Sequence, residues 1–182
     1  MISGFKVSLR AAKESDRRQV YKWLACSDLT PSMMGPPDFP DHPVPTWEEF
    51  CSDYKAHYFD DSAIYSGRCF IITVAHEGVG VVSYNQINQN RRETELDIWL
   101  RSESDCGKGY GSDALKTLCD YLHTTYGIES FILRPSARNQ RAIAAYQRAG
   151  FKLLSLSSGK QRAEYGPGDY VDTVVLCKHM ST

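Results

Sequence analysis

The stretch "SDCGKGYGSDALKTLCDYL", residues 104–122, decides the fold. Glycine stands at the alternate positions Gly107, Gly109 and Gly111, and the chain turns helical at once, with Ala114, Leu115, Leu118 and Leu122 at helical spacing. A loop without side chains lets backbone approach a ligand closely. The first turn of a helix offers amides that have no intrahelical partner, and the peptide dipoles add partial positive charge there. Together these features suit a phosphate. The two common nucleotide fingerprints fail on spacing. Ser112 stands where G-x-G-x-x-G needs its third glycine, and no G-x-x-x-x-G-K-[ST] is present. On these residues alone, an anion loop and a merely tight strand-to-helix turn both stay open.

Upstream, "FKVSLRAA" (5–12) alternates as a strand, and "ESDRRQVYKWLAC" follows as a helix with Ser15 as candidate cap. Residues 30–46, "TPSMMGPPDFPDHPVPT", hold six of the eight prolines, which predicts a stiff extended loop without regular helix or central strand. Thr46 opens the helix "WEEFCSDYKAHYFDD", with Glu49 placed for a capping box. Three strands joined by short connections come next, at "RCFIITVAH" (68–76), "VGVVSYNQI" (79–87) and "TELDIWL" (94–100), with the first turn at Glu77-Gly78.

Downstream, the helix over 110–126 stops at Gly127. "ESFILRP" is a strand, and "NQRAIAAYQRAG" a helix that begins near Asn139 and ends at Gly150. "FKLLSL" and "DYVDTVVLCKH" are final strands around a polar loop over 157–170. The order β-α-α-β-β-β-α-β-α-β-β predicts an α/β (α+β) architecture, a mixed sheet flanked by helices, in one domain spanning 1–182.

"CGKGYGSDAL" followed by "NQRAIAAYQRAGF" (139–151) resembles the paired core motifs of the GNAT superfamily of N-acetyltransferases. The family loop is written Q/R-x-x-G-x-G/A. Its second motif has Asn, Ala or Ser, Tyr and Gly-Phe at the intervals of Asn139, Ala142, Tyr146, Gly150 and Phe151. The resemblance implies a GNAT fold, with a central, mostly antiparallel sheet splayed between the fourth and fifth strands. It implies acetyl-CoA as acyl donor, its pyrophosphate held by backbone amides of Gly107, Lys108, Gly109, Tyr110, Gly111 and Ser112. The pantetheine arm is expected along Leu100–Ser102, with Asn139 beside it. Cys106 departs from the family pattern, which has Arg or Gln there. Lys108 either compensates with its own charge or is simply solvated.

The chemistry sets further requirements. An alkylammonium near pKa ~10.4 must lose a proton before attack, at a cost of roughly 4–5 kcal/mol at pH 7. A base facing the amine helps, and the departing thiolate needs an acid. In "ETELDIWLR", period-two spacing puts Glu93, Glu95, Asp97 and Trp99 on one face and Leu96, Ile98 and Leu100 on the other. Asp97 lies closest to the expected splay, and the segment resembles aminoglycoside 6'-N-acetyltransferases, in which an Asp three residues before the same Leu is implicated in receiving the amine. Asp97 is therefore the expected base, with Glu95 in reserve. Tyr146 matches the family tyrosine that approaches the coenzyme A sulfur, although helical spacing with Ile143 and Ala149 also fits a core stripe. Cys106 and Cys119 are not needed as nucleophiles, since transfer in the family is direct.

Acceptor choice is expected in the variable parts: Met33, Met34, Asp38, Asp41 and His42 of the proline-rich loop, the acidic helix after it, and the 157–170 loop. Glu48, Glu49, Asp53, Asp60 and Asp61 suit a cation there or form an ordinary solvated face.

The net charge of -1 gives no bulk attraction for nucleic acid or anionic membrane. The six cysteines show no C-x-x-C pair and do not cluster with the five histidines, which argues against a metal site or a disulfide scaffold and for free thiols in a reducing cytoplasm. No apolar run has the length of a signal peptide or membrane span. The expectation is a cytoplasmic enzyme, monomer or homodimer, that acetylates a primary amine of a small molecule, aminoglycoside-like first. A ribosomal-protein-acetyltransferase-like activity on a protein N-terminal or lysine amine is the alternative. A non-catalytic acyl-CoA-binding module is a third reading, disfavoured by the presence of both Asp97 and Tyr146.

Overall fold

A computed structural model describes residues 1–41 and 43–180; His42, one of the expected acceptor-side residues, lies outside them. Among the described residues, eight strands form one sheet in the order β1-β2-β3-β4-β5-β6-β8-β7. They are β1 (Ile2–Ser3), β2 (Ser8–Ala11), β3 (Arg68–Val74), β4 (Glu77–Tyr84), β5 (Glu93–Leu100), β6 (Ser130–Leu133), β7 (Lys152–Leu153) and β8 (Leu176–His179). Neighbours are antiparallel except β5 and β6, which run parallel across the crossover that carries the glycine loop.

Each sheet face has its own apolar cluster. On one side the helix α4 (Tyr110–Tyr126) lays Leu115, Leu118 and Leu122 against Leu9, Phe70, Val82 and Leu96, all buried. On the other, α1 (Arg17–Ala25) and α3 (Trp47–Asp53) bring Val20, Trp23 and Phe50 against Ile71, Val81 and Trp99. Full burial of one such side chain contributes about 1.5–3 kcal/mol, so both helical layers are held by apolar area. The alternation along β5 follows from this: Leu96 belongs to the α4 side and Trp99 to the other.

The expected caps of α3 and α4 form. Thr46 Oγ1 accepts the Glu49 amide at 3.2 Å while the Glu49 carboxylate accepts the Thr46 amide at 2.8 Å. Gly127 ends α4 at φ +67°. Ser15, by contrast, does not cap α1. A 3-10 turn covers Glu14–Asp16, and the Asp16 carboxylate takes the Lys13 amide at 2.8 Å, so the helix starts at Arg17.

Other boundaries move as well. The proline-rich segment contains one helical turn, α2 (Thr30–Met33), because Pro31 sits in the first turn, where a missing amide costs nothing. The β3–β4 turn falls at Ala75-His76, both with positive φ, rather than at Glu77-Gly78, which pair with β3. The helix opened by Thr46 ends at Asp53 and is followed by a 3-10 turn at Ala56–Phe59. In the expected 157–170 loop, Ser157 accepts the Lys160 amide at 3.4 Å and starts α6 (Ser158–Tyr165). The last two strands are shorter than the sequence suggests.

Candidate active site

The site opens where β5 and β6 part. Their parallel pairing covers Glu93, Thr94 and Glu95 only, whereas β4 follows β5 on to Leu100. Beyond Glu95, the edge of β5 that faces β6 is unpaired, and the cleft widens toward α4 and α5 (Gln140–Arg148). A cavity of about 680 Å³ runs along this gap, from the glycine loop to the proline-rich segment.

At one end lies the loop. Gly107 and Gly109 adopt positive φ, +76° and +85°, a region that side chains disfavour. A Cβ on Gly107 would meet nothing and one on Gly111 would make ordinary contact with Ile98, whereas one on Gly109 would lie 3.1 Å from Lys6 Nζ. The first helical bond is Asp113 N–H to Gly109 carbonyl. Among the described residues, none of the amides from Gly107 to Ser112 donates to a protein acceptor, which leaves six consecutive donors beside the cavity. The Ser112 hydroxyl turns away and donates to the Ala145 carbonyl at 2.9 Å, tying α4 to α5. Lys108 stacks its ammonium 5.8 Å from the Tyr110 ring. Leu100 and Tyr110 line the cavity, and the Ser102 hydroxyl interacts with Ser104 and Asp105. Cys106 lies among the lining residues, its thiol pushed up mainly by burial.

Further in, α5 contributes Asn139 and Tyr146. Asn139 caps its helix, the side chain accepting the Ala142 amide at 3.2 Å, and it also lines the cavity. Tyr146 packs against the α4-side core, as its helical spacing suggests, and it also lines the cavity. Burial raises its phenol, with smaller contributions from Tyr170 and Asp97.

Asp97 lines the same cavity. Tyr54 Oη donates to its Oδ2 at 3.1 Å, and Asn85 Nδ2 donates to the same oxygen at 3.1 Å. Its pKa is raised to about 7, first by burial and then by the negative charges of Glu95 and Asp169, against the two hydrogen bonds that favour the charged form. Glu95, two residues earlier on the same face, is engaged by Arg134 Nε at 2.7 Å. Glu93 lies away from the cavity, among Arg91 and Ser130.

The cavity lining also includes Met33, Met34, Pro43, Pro45, Asp53, Asp169 and Tyr170, from the segments expected to choose the acceptor. Of the acids expected there, Asp53 reaches the cavity. Glu49 is spent on its cap, and Asp61 pairs with the buried Arg68 at 3.2 Å. Arg138 joins the two walls: it donates to the Met34 carbonyl, lies 4.2 Å from the Phe39 ring and 5.6 Å from the Tyr170 ring, and pairs with Asp172 at 3.5 Å.

Sequence reasoning missed Tyr54, Asn85, Asp169 and Arg138. No local spacing marks them, since tertiary contact alone brings Tyr54, Asn85 and Asp169 to one cavity and Arg138 against its lining residues Met34 and Tyr170.

The Acetyltransferase (GNAT) domain model matches residues 6–152. The chain belongs to the GNAT acetyltransferase family. Over 178 residues it is 27% identical to the spermidine N(1)-acetyltransferase of Escherichia coli (strain K12), covering 97% of this chain and 88% of that protein. The ribosomal-protein-serine acetyltransferase of the same organism is 29% identical over 86 residues, 47% of this chain and 48% of that one. Among solved structures, AAC(6')-Ib with ribostamycin and coenzyme A superposes with TM-score 0.70 at 20% identity, covering 96% of this chain and 93% of that chain. The protein is an acetyltransferase. Among the described residues, no helix is long and apolar enough to cross a membrane.

Proposed function

We propose that this GNAT protein transfers acetyl directly to a primary amine of a small, cationic molecule, with Asp97 as the base and Tyr146 as the acid. The observation that carries the reading is that these two side chains line one cavity together with the glycine loop. When bound, acetyl-CoA supplies an activated acyl group and a thiolate leaving group.

The residue roles follow from chemistry. The free amides of residues 107–112 and the partial charge of the α4 terminus suit the pyrophosphate. The unpaired edge of β5 near Leu100–Ser102 suits the pantetheine amides, with Asn139 beside them. Asp97 has one oxygen fixed by Tyr54 and Asn85, and its raised pKa brings it close to the pH at which it must accept a proton. Glu95 is less suited, because Arg134 already engages it. Tyr146 stays protonated at neutral pH and so can donate to a thiolate. Cys119 has no role, buried with its thiol pushed up to about 12.

Asp53, Asp97 and Asp169 line the acceptor end, which favours an acceptor that carries more than one positive charge. The similarity to a spermidine acetyltransferase and to an aminoglycoside-bound structure points the same way. The test is coenzyme A release measured with a panel of polyamines, aminoglycosides and N-terminal peptides. Turnover on the small polycations supports the proposal. Turnover confined to peptides transfers the reading to protein acetylation.

A further inference from the structure

The cofactor loop of this chain is braced from outside by a segment at the other end of the sequence. Residues 4–7 form the turn between β1 and β2, and three of their amides converge on one carboxylate at the start of α4. Asp113 accepts from Lys6 N–H at 2.6 Å, Val7 N–H at 3.0 Å and Phe5 N–H at 3.3 Å. The turn is therefore fixed against the helix that the glycine loop opens. From it the Lys6 side chain reaches across Gly109, and its Nζ donates to the Lys108 carbonyl at 2.9 Å. Its stem packs so closely that a Cβ on Gly109 would lie 3.1 Å from Nζ and 3.5 Å from Cδ. None of the described acidic side chains forms an ion pair with Lys6.

In a planar trans peptide the carbonyl and the following amide point in opposite directions. A carbonyl of Lys108 held by Lys6 therefore turns the Gly109 amide away from Lys6. That amide has no protein acceptor among the described residues, and Gly109 lines the cavity. The ammonium also places a full positive charge behind a loop in which Cys106 brings none.

We propose that Lys6 is a positioning residue for the cofactor: by holding the Lys108–Gly109 peptide it aims the Gly109 amide at the pyrophosphate of coenzyme A, and it supplies the loop with a cationic charge. The inference rests on the assignment of the loop to that pyrophosphate. It assigns a role in cofactor binding to the N-terminal turn, remote in sequence from both core motifs.

The test is isothermal titration calorimetry of coenzyme A against the full chain, Lys6→Met and Lys6→Arg, with melting temperatures recorded beside it. Met keeps the apolar stem and removes the donor. Lys6→Met is expected to weaken coenzyme A binding about tenfold, the scale of one hydrogen bond to a charged group. Lys6→Arg is expected to restore most of it, with all melting temperatures within a degree or two. In steady state, KM for acetyl-CoA rises in Lys6→Met and KM for the amine does not. Equal affinity in wild type and Lys6→Met overturns the proposal. So does an equal loss in both variants with lowered melting temperatures, since the turn then matters only as structure. If the wild-type chain itself fails to bind coenzyme A, the loop assignment falls rather than the role of Lys6 alone.

Discussion

Tyr54 donates its phenolic hydrogen to Oδ2 of Asp97 at 3.1 Å, joining the end of the acidic helix to β5 within the cavity lining. Asn85 donates to the same oxygen, so both protein donors act on one side of the carboxylate. Hydrogen bonds to the charged form lower a carboxylate's pKa, and here they oppose a larger desolvation. Tyr54→Phe removes one of them. The Asp97 pKa should then rise above about 7, and the acidic limb of the kcat/KM profile should move to higher pH by several tenths of a unit. A profile that stays in place, or moves to lower pH, contradicts the assigned hydrogen bond.

The same raised pKa has a stability consequence. In the unfolded chain the Asp97 carboxyl ionises near ~3.9. In the folded protein it holds its proton up to about 7. Between these values the native state binds the extra proton, so stability falls as pH rises through that window and levels above it. Asp97→Asn removes this dependence. Its melting temperature relative to wild type should therefore increase from pH 5 to pH 8, as thermal unfolding at the two pH values would read directly.

Glycine 109 and glycine 111 are not equivalent. Gly109 has φ +85° and Lys6 close by, whereas Gly111 has ordinary helical backbone and a nearest neighbour at 3.7 Å. Gly109→Val should abolish measurable coenzyme A binding, while Gly111→Ala should retain it within a few-fold. Calorimetric titration of both variants checks this, and equal tolerance at the two positions contradicts the loop geometry.

Tyr146→Phe keeps the packing against the α4-side core and removes the hydroxyl. An acid in this position typically contributes 10²-fold or more, so kcat should fall by ~10²-fold with little change in melting temperature. An unchanged kcat would make Tyr146 a core residue only.

Arg138 ties the proline-rich wall to the Tyr170 wall through four separate contacts. Arg138→Ala should raise KM for the amine several-fold while KM for acetyl-CoA stays within about twofold, if the proline-rich segment and Tyr170 hold the acceptor as proposed. A rise confined to acetyl-CoA contradicts this placement.

What could be read in the sequence was whatever depends on short spacing. The glycine loop, the α4 stripe, the Thr46–Glu49 box and the alternation along β5 each follow from a local period, and each forms as expected. The turn at Ala75-His76 was hidden because alanine is not a usual bearer of positive φ, and Glu77-Gly78 offered a stronger signal one step away. The helix α6 was hidden in a polar segment with no apolar face, where only the Ser157 cap marks its start. In the site, Asp97 and Tyr146 were legible because motifs carry them. Tyr54, Asn85 and Asp169 were not, since they meet Asp97 only when three distant segments pack over the splay. Lys6 was hidden for the same reason: its partner carbonyl belongs to a residue more than a hundred positions away.

The central claim is that Asp97 receives the acceptor's proton. The most direct measurement is the pH dependence of kcat/KM for wild type and Asp97→Asn with one accepted small amine. The wild-type value is expected to rise through an inflection near 7, and Asp97→Asn to be slower by ~10²–10⁴-fold with that inflection missing. An Asp97→Asn enzyme that keeps both the rate and the inflection would contradict it.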